Sequence, residues 1–242
     1  MIGLKQILRN ELEVSGGTAM GIKLLLRGLI KILSGAALMG LLLFAPAGTW
    51  RFPGAWLLLA LLLIPMPVVG IVLFVKAPAL LKKRLNSTER EPEQKLVVLL
   101  SALIFTAGFL LAGLDFRFGW AQLPGPAVAA GAVLFLLAYG LYLEVMRENA
   151  YLSRSVEIQA HQTVIDTGLY GLVRHPMYLA VALLFLSMPL VLGSAAAIVP
   201  FLCFPAVLVK RIKNEEAVLT AGLPGYRAYR EKVKYRMLPF LW

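Results

Sequence analysis

"YLAVALLFLSMPLVLGSAAAIVPFLCFPAVLV" (residues 178–209) is a run of 32 residues without a formal charge. A helix needs about 20 apolar residues to cross the hydrocarbon core of a bilayer. The run is therefore too long for one ordinary span and short for two. "SMPLVLGS" (187–194) interrupts it with Pro189 and Gly193, residue types that punctuate helices. The run predicts a helical hairpin turning near 189–194, which either crosses fully or re-enters. In both cases its two ends lie on one side of the membrane, and residues 165–178 come close to residues 208–220.

The rest of the chain fits that reading. Four more segments, 32–50, 52–75, 96–114 and 118–143, carry no formal charge. The 242 residues are 60% hydrophobic and only 15% charged, where soluble domains carry about a quarter, and the mean hydropathy is +0.79. These features predict an all-α integral membrane protein with four transmembrane helices (32–145) followed by the hairpin. Ala45-Pro46-Ala47 resembles a signal-peptide cleavage site, but the long basic segment before it favours a retained span.

Lysine and arginine alternate between the runs. Five precede the first run, one (Arg51) follows it, six lie between 76 and 95, one (Arg117) follows the third run, three lie between 147 and 174, and eight between 210 and 236. By the positive-inside rule the N-terminus, the 76–95 segment, the 144–174 segment and the C-terminal tail are cytoplasmic. The hairpin makes this count consistent, because a single last span would put eight basic residues outside. The same rule accounts for the net charge of +11 without nucleic acid as a partner. The single Cys203 excludes a disulfide framework. With only two histidines, no zinc-ligand set is evident either.

Residues 1–31 form a cytoplasmic N-terminal segment. Within it "GIKLLLRGLIKIL" (21–33) spaces Lys23, Arg27 and Lys31 four apart, as in an amphipathic helix on anionic lipid or a topogenic flank of the first span. "APALLKKRLNSTEREPEQK" (77–95) reads as a solvated connector.

Polar residues gather at the cytoplasmic neck of the hairpin. Tyr170, Arg174, His175 and Tyr178 precede it, and Lys210, Arg211, Asn214, Glu215 and Glu216 follow it. Charged groups at the end of an apolar helix are costly unless paired or hydrated, and the adjacent Glu215 and Glu216 need cations or a ligand beside them. Surface ion pairs closing the neck would satisfy the same pattern. No dinucleotide fingerprint, Walker A motif, H-E-x-x-H or G-x-S-x-G elbow is present.

The two blocks "TGLYGLVRHPMYLA" (167–180) and "KRIKNEEAVLTAGLPGYRAYREKVKYRMLP" (210–239) together resemble the membrane methyltransferases of the isoprenylcysteine carboxyl methyltransferase and phospholipid N-methyltransferase superfamily. Gly168, Tyr170, Arg174, His175, Pro176 and Tyr178 match the family's first block, and Glu215, Glu216 and Leu219 its second. Ala180 stands where the family has glycine. Leu223-Pro224-Gly225 replaces the usual Phe-Gly, with Tyr226 one residue early, which leaves the contacts of Tyr226 and Tyr229 open.

The resemblance implies a methyltransferase core over 146–242 that binds S-adenosyl-L-methionine between the hairpin neck and the cytoplasmic tail. A lipophilic acceptor would enter from the bilayer; no metal or nucleic acid is implied. It further implies that Tyr170, Arg174, His175, Pro176, Tyr178, Glu215 and Glu216 bind the cofactor. Glu215 and Glu216 suit its ammonium or ribose hydroxyls, and Arg174 a carboxylate. His175 is the nearest base for an amine or thiol acceptor, so Arg174 and His175 are the expected catalytic pair. The acceptor most in keeping with the resemblance is an isoprenylcysteine carboxylate, with a phospholipid amine or small thiol as alternatives. Membrane sterol reductases using NADPH have a related block, but Val181 stands where they carry an acid. A non-catalytic membrane protein is the remaining alternative. The sequence leaves the oligomeric state open.

Overall fold

A computed structural model describes residues 2–86, 91–153 and 155–242, with backbone alone for 2–20. Ten α-helices are seen among the described residues: α1 (Ile2–Ala47), α2 (Pro53–Leu63), α3 (Pro65–Lys76), α4 (Pro78–Leu85), α5 (Pro92–Phe118), α6 (Gly125–Glu148), α7 (Pro176–Val191), α8 (Ala195–Leu202), α9 (Phe204–Gly222) and α10 (Tyr226–Lys232). Prolines open most of them: α2, α3, α4, α5, α6, α7 and α9 each carry one at the first or second position, where its missing N–H leaves no bond unmade. Five stretches are long and apolar enough to cross a membrane: Gly21–Ala47, Pro53–Lys76, Pro92–Phe118, Gly125–Glu148 and Ala195–Gly222. α7 is a shorter apolar helix of 16 residues.

The predicted hairpin is formed by α7 and the α8–α9 pair. Its turn is Leu192-Gly193-Ser194, with Gly193 in the left-handed region at φ +70°, where a glycine carries no Cβ penalty. Pro189 sits inside α7 rather than at the turn. The turn is pinned to the α5–α6 connector: Leu123 N–H donates to Gly193 O at 2.8 Å, and Ala195 N–H to Ala121 O at 2.9 Å. It also meets the α1–α2 end, since a Cβ on Gly54 would lie 2.7 Å from Leu192 O. The hairpin turn thus reaches the level of two other connectors.

That end carries the single arginines Arg51 and Arg117 and a belt of exposed Trp50, Trp56 and Trp120, the amphipathic rings favoured at bilayer interfaces. Its keystone is Asp115, fully buried in the last turn of α5. Asp115 Oδ1 accepts from Ala121 N at 2.7 Å, and Oδ2 from the hydroxyl of Ser194, which also caps α8 by accepting from Ala197 N at 3.2 Å. The apolar-run boundary had placed Asp115 outside the third span; α5 extends through it to Phe118.

Small residues let the helices approach closely, as expected where lipid tails provide no hydrophobic contrast. A Cβ on Gly131 of α6 would lie 2.5 Å from Leu190 Cβ of α7, and one on Gly108 of α5 2.4 Å from the Phe201 ring of α8. Phe52, Phe135 and Phe201, each at most 1% exposed, fill the core between these helices. By contrast Ile30, Leu41, Ile64, Val75 and Leu137 are each at least 63% exposed, an apolar outer surface suited to acyl chains.

The basic segment 21–33 and the first apolar run are one continuous helix, as in the topogenic-flank alternative. Two local features differ from the sequence reading. The second run breaks at Ile64, where Pro65 cannot donate to the preceding turn. The connector 77–95 contains α4, whose Leu80 and Leu81 are buried; residues 87–90 of that connector lie outside the described residues.

Replacing Asp115 with alanine strands the buried Ser194 hydroxyl and removes the acceptor of the partly buried Ala121 N–H. The expected loss is about 2–3 kcal/mol, read as a lowered thermal midpoint in detergent, with Asp115→Asn losing less because one acceptor remains.

Candidate functional site

At the opposite end, the chain before α7 is shaped by Gly168. It opens a 3₁₀ turn (Gly168–Gly171) at φ +53°. A Cβ there would lie 1.8 Å from Glu148 Oε1, because the Glu148 carboxylate folds over the turn and accepts from Leu169 N at 3.0 Å. The turn buries Tyr170, whose hydroxyl accepts from Asn149 Nδ2 at 2.9 Å and whose carbonyl accepts from the Tyr229 hydroxyl at 2.7 Å. Arg174 and His175 follow, with His175 at the N-cap (φ -129°, ψ 59°), and Pro176 starts α7.

The C-terminal tail runs back along this segment. After α9, Leu223-Pro224-Gly225 turns the chain, with Gly225 at φ +82°, and α10 buries Tyr226 and Tyr229 against Val164, Leu219, Leu223 and Val233. Beyond α10 the backbone pairs with the motif: Arg174 N–H donates to Tyr235 O at 2.9 Å and His175 N–H to Arg236 O at 2.7 Å. An exposed pair, Lys232 with Asp166 at 2.7 Å, ties α10 to the segment before the 3₁₀ turn; Lys232 holds the Asp166 carboxyl below its ordinary range.

The centre is Glu216, 3% exposed. Its Oε1 accepts from Arg174 Nε at 2.7 Å and lies 3.3 Å from His175 Nε2, while Oε2 accepts from Arg236 Nε at 2.9 Å. Arg174 Nη1 also donates to the carbonyls of Val233 at 2.6 Å and Lys234 at 2.8 Å. A buried carboxylate is tolerated only with such pairing. Glu215 points another way and accepts from the Tyr178 hydroxyl, which in turn accepts from Arg211 Nε at 2.8 Å. Arg211 Nη1 donates to Gln94 Oε1 at 3.0 Å, and Gln94 Nε2 donates to Asn214 Oδ1 at 2.5 Å. Gln94 is fully buried.

The structure thus brings Tyr170, Arg174, His175, Pro176, Tyr178, Glu215 and Glu216 to one end of the bundle. Lys210 is exposed on the far side of α9 and takes no part. Sequence reasoning missed Gln94, Asn149 and Arg236. Arg236 sits in a basic tail whose cations all satisfy the charge rule equally, and a lone glutamine before an apolar run carries no signal. The contacts of Tyr226 and Tyr229, open from the sequence, are now defined.

Some polar groups of the cluster remain unused among the described residues. The Tyr226 hydroxyl is buried without a hydrogen-bond partner, and neither Arg174 Nη2 nor His175 Nδ1 makes a hydrogen bond there. Burial pushes the Tyr170, Tyr226 and Tyr229 phenols well above the ordinary tyrosine range, and for Tyr226 the negative charges of Glu216 and Glu215 add to it. All three are therefore protonated donors at neutral pH. An unpaired buried hydroxyl costs about 1–3 kcal/mol, and such a group beside two carboxylates and a guanidinium marks a place for a polar ligand.

Residues 130–221 match the family model of the Isoprenylcysteine carboxyl methyltransferase (ICMT) family. The match bears out the resemblance carried by the two motif blocks, over a segment from within α6 to the end of α9. It supports a membrane methyltransferase in general. No curated protein matches the chain.

Glu216→Ala leaves the buried Arg174 and the partly exposed Arg236 without their anion, and a loss of about 3–5 kcal/mol is expected. Faster hydrogen exchange at 233–236 would accompany the lowered thermal midpoint, because the tail is held by the same residues. Gly168→Ala forces both a positive φ and a clash with Glu148. A loss of about 2 kcal/mol is expected in the same unfolding assay, with smaller damage in a Glu148→Ala background.

Proposed function

We propose that this protein transfers a methyl group from S-adenosyl-L-methionine to a lipophilic acceptor at the cytoplasmic face of a membrane. The observation that carries the reading is the Tyr226 hydroxyl, buried and unpartnered and within electrostatic reach of Glu216, Glu215 and Arg174. The donor set fits the cofactor. It offers carboxylates for an ammonium or ribose hydroxyls, a guanidinium edge for a carboxylate, and aromatic rings, which attract cations, for a sulfonium. When bound, S-adenosylmethionine supplies an activated methyl on a positively charged sulfur.

Tyr170, Arg174, His175, Pro176, Tyr178, Glu215 and Glu216 hold the cofactor in this reading, with Tyr226 added from the structure. Their parts differ. Glu215 receives one phenol hydrogen bond and keeps acceptor capacity for an ammonium or ribose hydroxyl. Glu216, already bonded on both oxygens, positions Arg174 and the tail and sets the charge of the pocket. Arg174 turns Nη2 toward a carboxylate, either the cofactor's or the acceptor's. Pro176 fixes the entry into α7, and the Tyr170 and Tyr178 rings wall the site.

The acceptor is best matched to an isoprenylcysteine-like carboxylate, which is ionised at neutral pH and needs no base. Displacement at a sulfonium then depends mainly on alignment, which the locked tail supplies. For an amine or thiol acceptor, His175 takes the proton on Nδ1, since its other nitrogen faces Glu216. The donor comes from water and the acceptor from lipid, and the cluster sits where charged helix ends meet the apolar bundle. With four preceding spans, the hairpin and a tail pocket, this reading has both termini in the cytoplasm, on the strength of the lysine and arginine count.

Calorimetric titration of the detergent-purified protein with S-adenosylmethionine tests this. Saturable binding is expected, weakened about fivefold to tenfold in Tyr226→Phe, the range for one hydrogen bond, and abolished in Glu215→Ala, Glu216→Ala. Transfer of labelled methyl into a prenylated cysteine analogue should follow the same order. Binding of NADPH in place of S-adenosylmethionine would sink the proposal.

A further inference from the structure

The outer side of α9 carries a second polar site. A cleft of about 470 Å³ opens between the first turn of α5 and α9, with Glu93, Ala206, Val209, Lys210, Lys213 and Asn214 on its walls. By helical geometry its centre lies roughly 180° around α9 from Glu215, so it is separate from the cluster above and does not rest on the function proposed for it.

Lys210, Lys213 and Glu93 make no hydrogen bond or ion pair among the described residues, although charges of both signs line one cleft. The cleft grades from polar to apolar along the helix. Ala206 lies seven residues, about 10 Å, below Lys213, and Leu202 and Val199 continue the stripe at 62% and 67% exposure. Both bounding helices belong to stretches long and apolar enough to cross a membrane, Pro92–Phe118 and Ala195–Gly222. The site therefore has a charged head at the basic end and an apolar floor facing the acyl region. A soluble anion would need only the lysines, and an acidic peptide would gain nothing from the apolar floor.

We infer that this cleft binds one phospholipid whose headgroup carries a phosphate and a primary ammonium. Lys210 and Lys213 take the phosphate, Glu93 takes the ammonium, and Ala206 and Val209 flank the glycerol and the first acyl carbons. A quaternary headgroup has no N–H to give Glu93, and a purely anionic one is repelled by it, so the three charges together specify the class. Asn214, in the cleft wall, is bonded to Gln94, which holds Arg211 against Tyr178; a headgroup seated there braces one wall of the neighbouring cluster.

Native mass spectrometry of the detergent-purified protein, titrated with dioleoyl phosphatidylethanolamine, phosphatidylcholine or phosphatidylglycerol, reads the selectivity. Ethanolamine lipid is expected to be retained over choline lipid by about fivefold, the order of one exposed ion pair. Glu93→Gln should bring the two to parity, and Lys210→Ala with Lys213→Ala should lose both; the single lysine variants give intermediate values, and an unchanged thermal midpoint verifies the fold. Stronger retention of phosphatidylglycerol that ignores Glu93→Gln would overturn the assignment. So would ethanolamine-lipid binding that survives the double lysine change.

Discussion

One carboxylate organises the basic end of this molecule. Glu216 stands at the end of a long apolar helix, almost without solvent, and cannot remain ionised there alone. It gathers Arg174 from the segment before the hairpin and Arg236 from the tail, and Arg174 in turn takes up two tail carbonyls. Three stretches far apart in sequence are thereby fixed to one another by a single charge. The backbone pairing of 174–175 with 235–236 follows the same line. Local geometry serves this arrangement: Gly168 turns the chain in a conformation only glycine holds easily, and Gly225 reverses it after α9.

The hairpin and the meeting of the two motif blocks were legible because they rest on strong, local signals. Run length, Pro189 and Gly193 predict a turn, and the turn falls at 192–194. The parity of basic residues requires both ends of the hairpin on one side, and Arg174 and Glu216 bring those ends together. The break at Ile64 was less visible, since Pro65 and Pro67 lie in an otherwise uniform apolar run. Asp115 lies one residue past the uncharged run 96–114 yet inside α5, and its two hydrogen bonds at the helix end make burial tolerable. Gln94 and Arg236 were unreadable for a different reason. Their importance comes from which distant groups they meet, and nothing in their sequence neighbourhood distinguishes them from polar residues that are exposed.

The two ends of the bundle solve opposite problems. The Asp115 end is closed by small residues, stacked aromatics and one buried acid with both oxygens bonded. The Glu216 end spends its polar groups on long-range links yet leaves a buried phenol, an arginine edge and a histidine nitrogen unused. Full satisfaction at one end and incomplete satisfaction at the other is the pattern expected when stability and ligand binding are divided between regions.

The pinned turn at Ser194 has a mechanical meaning. It is tied to Asp115 and to the α5–α6 connector, so the α8–α9 rod is clamped at one tip and gripped at the other mainly through side chains. Glu216 lies twenty-two residues beyond Ser194, about 33 Å along a helix, so a tilt of about 3° at the clamp sweeps the carboxylate through about 2 Å. The molecule is built as a lever with its fulcrum at the far surface, and the displacement is greatest where the arginines meet.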